Sequence, residues 1–274
     1  MNKMIITVLL AIGVSAHAET KEIFSGSDTL AGAITDAIIQ SGMDQVLGYA
    51  GGGSGVGETN LIAGDQGIAP MSRPLKPEAI AAMASKGNSA VAHVIGLDGV
   101  SVYVNNANKS LQLDVLTVTK LYTCELTRWE QISNSGLKGD IHVFRRNDSS
   151  GTTDAFKSFT GIKTFGACAV VVEETADISE KTSRDPLAVG YAGLSGKVED
   201  NYALALSPKV GVAAIAPTTA TIRNGTYPFT RKLFIFELTG KSPANSVEQE
   251  FLSNVTDRSF MDPIMQAHEF VTID

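Results

Sequence analysis

Cysteine and histidine are scarce here, with two and four residues respectively in a chain of 274. Two cysteines are too few for a disulfide-built scaffold or a cysteine-rich zinc module. His93, His142 and His268 fall at no metal-ligand spacing, and His17 belongs to the N-terminal leader, so no metal site is expected. Positive charge is short as well. The 22 Lys+Arg against 29 Asp+Glu give a formal net charge of −7, which argues against a general nucleic-acid binder or a polybasic membrane-surface protein. Beyond the leader, no apolar run approaches the ~20 residues that span a bilayer, so direct membrane insertion is not expected. The signatures H-E-x-x-H, G-x-S-x-G, the Walker loop and G-x-G-x-x-G are all missing. Neither an enzyme nor a cofactor-dependent protein is expected from this chain.

What is present begins with an address. Lys3 precedes an apolar run from Met4 to Val14, and Ala16-His17-Ala18 supplies an A-x-A cleavage site. No cysteine follows the run, which disfavours a lipid-anchored form. Residues 1–18 are therefore read as a signal peptide, removed after Ala18, and the mature chain as soluble and exported. In an oxidising compartment Cys124 and Cys168 can form a disulfide; two buried free thiols are the alternative.

Downstream, short strand-like and helix-like stretches alternate. The pattern predicts strands at Glu22–Ser25, Val46–Ala50, Ile68–Met71, Ile141–Phe144, Leu187–Ala192, Ala203–Leu206 and Lys232–Glu237. Ala90–Val104 reads as two apolar segments around an Asp98-Gly99 turn. Helices are predicted at Leu30–Ser41, Val56–Ala63, Pro77–Ser85, Leu116–Tyr122, Thr153–Phe159, Val170–Ser183 and Ser246–Ser253. In the first of these, Leu30, Ile34, Ala37 and Ile38 share one face, with Asp28 or Thr29 as its cap. Alternation of this kind marks an α/β chain with largely parallel sheets. No linker interrupts it, so two lobes would be joined by more than one crossing.

Three glycine-serine-threonine turns each follow a strand-like run and open a helix: Gly26 to Leu30, Gly53 to Gly57, and Ser149 to Thr153. A helix start carries unpaired N–H groups and partial positive charge. Glycine lets an oxyanion approach the backbone, and Ser or Thr adds a hydroxyl donor. Such a turn is an anion site in waiting. Arg145-Arg146 stands just before the third, where Arg146 can clasp a tetrahedral oxyanion while Asp148 orients its guanidinium.

These segments resemble the phosphate-binding proteins of bacterial phosphate ABC transporters, the PstS type among type II solute-binding proteins. Asp65 to Arg73, Gly96 to Val100 with Val104-Asn105, Leu121 to Trp129, Val189-Gly190-Tyr191 and Tyr227 to Arg231 complete the match, in the family's order. The resemblance implies a two-lobed periplasmic binding protein fold (type II), each lobe a mixed, largely parallel sheet flanked by helices, joined by two hinge strands. Lobe 1 would hold 19–105 plus 227–274 and lobe 2 would hold 106–226, with Asp98-Gly99 and Tyr227-Pro228 close to the crossings. Carried over by position, Thr29, the Leu30 N–H, Ser54, Arg146, Ser150, Gly151 and Thr152 would meet the anion, with Asp148 as partner of the arginine. Ser72 falls where some members place a proton-accepting aspartate, which leaves selectivity open. Arg73 would add a second charge or face solvent.

The implied function is capture of a phosphate ion in the periplasm and delivery to the permease of an ABC transporter, by a monomer that needs no cofactor. The alternatives are a receptor for another tetrahedral oxyanion or an organic phosphate, a secreted phosphatase-like enzyme, and an adhesin or sensor that reuses the fold.

Overall fold

A computed structural model describes residues 21–133 and 135–273, and the leader 1–18 lies outside them. In chain order the strands are β1 (Glu22–Gly26), β2 (Leu47–Gly52), β3 (Ile68–Met71), β4 (Asn88–Gly99), β5 (Ser101–Asn105), β6 (Leu113–Asp114), β7 (His142–Arg146), β8 (Ala169–Val172), β9 (Ala188–Ala192), β10 (Asn201–Ala203), β11 (Leu206–Ser207) and β12 (Thr230–Gly240). The helices are α1 (Ala31–Gln40), α2 (Ser54–Ala63), α3 (Pro77–Ser85), α4 (Val115–Tyr122), α5 (Gly151–Thr160), α6 (Thr175–Arg184), α7 (Thr219–Arg223), α8 (Ser246–Thr256) and α9 (Arg258–Ala267).

Two groups of mixed sheets result. One lobe carries the parallel pair β1-β2 and the antiparallel sheet β3-β12-β4; the other carries the sheet β10-β5-β9-β7-β8 and the small pair β11-β6. Parallel pairing joins β7 to β8 and to β9, whereas β5 runs antiparallel to β9 and β10. The antiparallel share exceeds the expectation because β12 returns along nearly the whole length of β4.

Packing follows the sequence pattern closely in the first lobe. Leu30 at the cap of α1 and Ile34, Ala37 and Ile38 on it are all buried, in one cluster with Phe24, Phe251, Met261 and Met265. Each such side chain contributes about 1.5–3 kcal/mol on burial. The second lobe is built around Trp129, Tyr122, Phe156 and Tyr191, with the Phe156 and Tyr191 rings stacked 4.0 Å apart. Tyr227 and Phe229 pack into this second cluster, although β12, which starts one residue later, belongs to the other lobe's sheet. Cys124 and Cys168 are joined in a disulfide with their Cα atoms 5.9 Å apart, linking the turn after α4 to the start of β8. A cross-link closing a loop of this size stabilises by about 2–4 kcal/mol. Among the described residues, no helix is long and apolar enough to cross a membrane.

Three expectations need correcting. The stretch Val170–Ser183 is not one helix: Ala169–Val172 is strand β8, and α6 begins at Thr175. A β-branched valine run fits the sheet edge better than a helical turn. Ala203–Leu206 divides into β10 and β11, which pair with different strands. Asp98-Gly99 is no hairpin turn, since β4 reaches Gly99 and only Val100 separates it from β5 in a different sheet. Residues 101–105 form β5, which pairs with β9 and β10 in the five-stranded sheet.

Candidate functional site

Three chain turns meet between the lobes. At the start of α5, the Ser150 hydroxyl caps the helix by accepting the Thr152 N–H at 3.2 Å, which leaves Gly151 and Thr152 as the first helical residues. At the start of α2, Gly53 takes φ 96°, a region glycine enters without steric cost, and Ser54 opens the helix. The two starts touch: the Gly55 N–H donates to the Ser149 carbonyl at 2.9 Å. A β-carbon on Gly151 would overlap both Ser54 Oγ and Ser72 Oγ. Ser54 Oγ itself accepts the Ser72 N–H at 3.1 Å and lies 3.3 Å from the Ser72 hydroxyl. The third turn precedes α1, and its Thr29 Oγ1 stands 2.9 Å from Thr152 Oγ1 of the opposite lobe.

Two guanidinium groups flank these hydroxyls. Arg146, fully buried at the end of β7, donates to Asp28 Oδ2 at 2.5 Å, to Thr175 Oγ1 at 2.9 Å and to the Glu173 carbonyl at 2.9 Å. Arg231, buried near the start of β12, donates to Thr152 Oγ1 at 3.0 Å and to Thr29 Oγ1 at 3.2 Å. Its Nε and Nη2 also hold Asp98 Oδ2, at 2.9 and 2.6 Å. Burial lowers the Arg231 guanidinium below the usual arginine range; Asp98 opposes this, and the nearby Arg146 adds to it.

The residues expected from sequence are largely brought together, with different partners. Thr29, Ser54, Ser72, Arg146, Ser150, Gly151 and Thr152 are all buried. The Leu30 N–H, expected to face an anion, donates to the Ser27 carbonyl at 3.1 Å. Asp28 does not cap the helix through its side chain; its carboxylate accepts the Gly52 N–H at 2.8 Å and the Arg146 guanidinium. Asp148 does not orient Arg146. It lies on the surface, bonded to Arg145 at 3.4 Å and to Lys157 at 3.1 Å, because Arg145 rather than Arg146 turns back over the loop. Arg73 neither faces solvent nor adds a free charge: it is buried between Glu58 (2.7 Å) and Asp154 (2.6 Å). Arg231 was missed as a site residue. Its signal was present only in the Tyr227 to Arg231 segment, without a partner in sight.

Chemically, hydroxyl donors, helix starts and two buried guanidinium groups suit a tetrahedral oxyanion. The histidines stand elsewhere, with His93 on Glu237, His142 on Asp185 and His268 on Asp36. Among the described residues, no cluster of three metal-ligating side chains occurs.

Comparison with known proteins gives a consistent picture. The chain is 25% identical over 267 residues to the phosphate-binding protein PstS of Pseudomonas aeruginosa, covering 91% of this chain and 81% of the relative. It is 27% identical over 225 residues to the PstS of Staphylococcus aureus, covering 80% and 67%. A solved chain from Clostridium perfringens, described as a phosphate ABC transporter substrate-binding protein with bound phosphate, superposes with a TM-score of 0.79 at 20% identity, over 93% of this chain and 100% of that one. An ABC-type phosphate transport receptor from Vibrio cholerae gives 0.70 at 22% identity, over 91% and 99%. With the family model of the PBP superfamily domain matching residues 14–257, this chain belongs to the PBP superfamily.

Proposed function

We propose that this protein is an exported receptor that captures inorganic phosphate between its two lobes and passes it to the permease of an ABC transporter. The observation that carries the reading is the meeting of Thr29 and Thr152 hydroxyls from opposite lobes, 2.9 Å apart, beside two buried arginines. Relatives named as phosphate-binding proteins over most of the chain support phosphate as the ligand. The lobes divide, in this reading, at Val100 and between Phe229 and Thr230, where both crossings pass from one sheet group to the other. The site residues are Thr29, Ser54, Ser72, Arg146, Ser150, Gly151 and Thr152, acting in a periplasmic monomer without catalysis. A hydrolase would need a base beside a hydroxyl nucleophile, and each of the three described histidines is engaged with a carboxylate away from these hydroxyls.

A micromolar complex requires about 8 kcal/mol. Charge-assisted hydrogen bonds at roughly 1.5–3 kcal/mol each reach that with one arginine and a few further donors. Calorimetry on anion-stripped protein is expected to show micromolar or tighter phosphate binding, lost in Arg146→Ala. Heat from sulfate alone, or turnover of an aryl phosphate that disappears in Ser150→Ala, would overturn the assignment.

A further inference from the structure

Arg231 and Asp98 are directly opposed across the antiparallel β12-β4 pair, at the point where both strands leave the first lobe. From this position the pair reaches into both lobes. Arg231 donates to Thr29 Oγ1 of the first lobe and to Thr152 Oγ1 of the second. Asp98 Oδ1 accepts the Leu194 N–H of the second lobe at 2.9 Å, while its Oδ2 is held by Arg231. The second-lobe backbone closes tightly over them: a β-carbon on Gly193 would lie 2.6 Å from Asp98 Oδ2, 3.0 Å from Thr29 and 3.1 Å from Arg231 Nη2.

Proton counting gives this arrangement a consequence. A threonine hydroxyl has one hydrogen to donate and two lone pairs that accept. Arg231 fills a lone pair on each of the two threonines, and their 2.9 Å contact uses one hydroxyl hydrogen. One hydroxyl hydrogen is left over, and the guanidinium forbids it from turning back toward Arg231. It must seek an acceptor on the other side. Asp98 meanwhile fixes the guanidinium plane and offsets its charge, so the arginine stays in place in a water-poor setting.

We propose that the hinge pair Arg231–Asp98 is a positioning device that aims the one hydroxyl hydrogen left free in the Thr29–Thr152 pair at a bound oxyanion only when the two lobes are closed. This rests on the receptor reading above and deepens it. Among the described residues, Arg231 alone hydrogen-bonds to both of those hydroxyls, so closure and donor orientation depend on one side chain.

The test compares wild type with Arg231→Gln, Arg231→Lys and Lys232→Gln, each stripped of bound anion. Affinity for inorganic phosphate and for sulfate is measured by calorimetry, lobe closure by the scattering-derived radius of gyration at saturating anion, and folding by thermal melts. Lys232→Gln removes a charge one residue away and is expected to bind like wild type. Arg231→Gln is expected to bind phosphate at least tenfold more weakly and to compact less. Arg231→Lys is expected to recover part of both, because an ammonium can still reach one hydroxyl. If Arg231→Gln does not fold, the Lys variant is compared with Thr152→Val, which removes one hydroxyl but keeps the arginine; both are expected to lose affinity without losing their melts. Wild-type affinity and compaction in a folded Arg231→Gln, or in Arg231→Lys and Thr152→Val if the Gln variant fails, would overturn the proposal while leaving the phosphate reading intact. Equal weakening in Gln and Lys variants that tracks a lowered melting temperature would also overturn it, as a purely structural pair. Wild type that binds sulfate but not phosphate would overturn the phosphate reading alone, with the same variants then read on sulfate. Wild type that binds neither anion would overturn both.

Discussion

At the residue scale, Gly151 shows how closely the site is drawn. It occupies the first position of α5, where alanine would suit the helix, yet a β-carbon there would overlap the Ser54 and Ser72 hydroxyls of the other lobe. The clash exists only while the lobes are together. Gly151→Ala is therefore expected to leave the melting temperature of the anion-free protein close to wild type. Phosphate affinity should fall at least tenfold, about 1.4 kcal/mol. Unchanged affinity in calorimetry would mean that this face does not close on the ligand. The serine, threonine and glycine positions were legible in the sequence because a helix start is a local feature, readable from a few neighbouring residues. Partners were not. Arg146 meets Asp28 across 118 positions and Arg231 meets Asp98 across 133, distances over which no short motif speaks. Asp148, two residues from Arg146, was the nearest carboxylate in sequence and the wrong one in space.

At the scale of elements, α5 is held in place from its inner face. Phe156 stacks on Tyr191 of β9, and the Thr153 hydroxyl lies 2.7 Å from the Tyr191 hydroxyl and 3.1 Å from the Arg146 carbonyl. Site and core thus share one aromatic support. Burial pushes the phenols of Tyr103, Tyr122, Tyr191 and Tyr227 above their ordinary value. An unfolded chain releases such protons at about pH 10, and the folded one only higher. Their burial therefore stabilises the fold fully below about pH 10, and that contribution is lost as pH rises toward the folded values. Urea midpoints are expected to be flat from pH 8 to 9.5 and to fall steeply above 10, with tyrosinate absorbance appearing together with loss of near-ultraviolet dichroism. Tyrosinate that forms near pH 10 in protein retaining full dichroism would contradict this. The same elements show where periodicity is weak. Helices α1 and α3 carry a repeating apolar face, an N-terminal proline or a terminal glycine, and were legible. The Val170–Val172 run is too short to separate strand from helix by period, and its pairing with β7 supplies what the local pattern lacks.

For the whole molecule, closure has a second set of ties. Asp154 of α5 reaches across to Arg73 at 2.6 Å and Lys76 at 3.3 Å, while Arg73 keeps Glu58 on its own side. The two-lobed layout was legible because the chain alternates strands and helices and lacks a linker. The crossings were expected close to Asp98-Gly99 and Tyr227-Pro228, which stand next to Val100 and Phe229; what no local pattern showed was that Ser101–Asn105 pairs with β9 and β10. Because Asp154 belongs to one lobe and its cations to the other, the tie can act only on the closed form, whereas Glu58 neutralises Arg73 in either. Asp154→Asn should therefore raise the phosphate dissociation rate by about three- to tenfold, the scale of a partly exposed ion pair of about 1 kcal/mol, and leave the association rate nearly unchanged. The difference should shrink as salt is raised to the extent that the exposed Lys76 contributes, since the Arg73–Asp154 contact itself is buried. Stopped-flow displacement of phosphate at low and high ionic strength reads both effects. Equal dissociation rates in the two proteins at low salt would assign the Arg73–Asp154 contact to packing alone and leave closure to the hinge pair and the Asp28–Arg146 bridge.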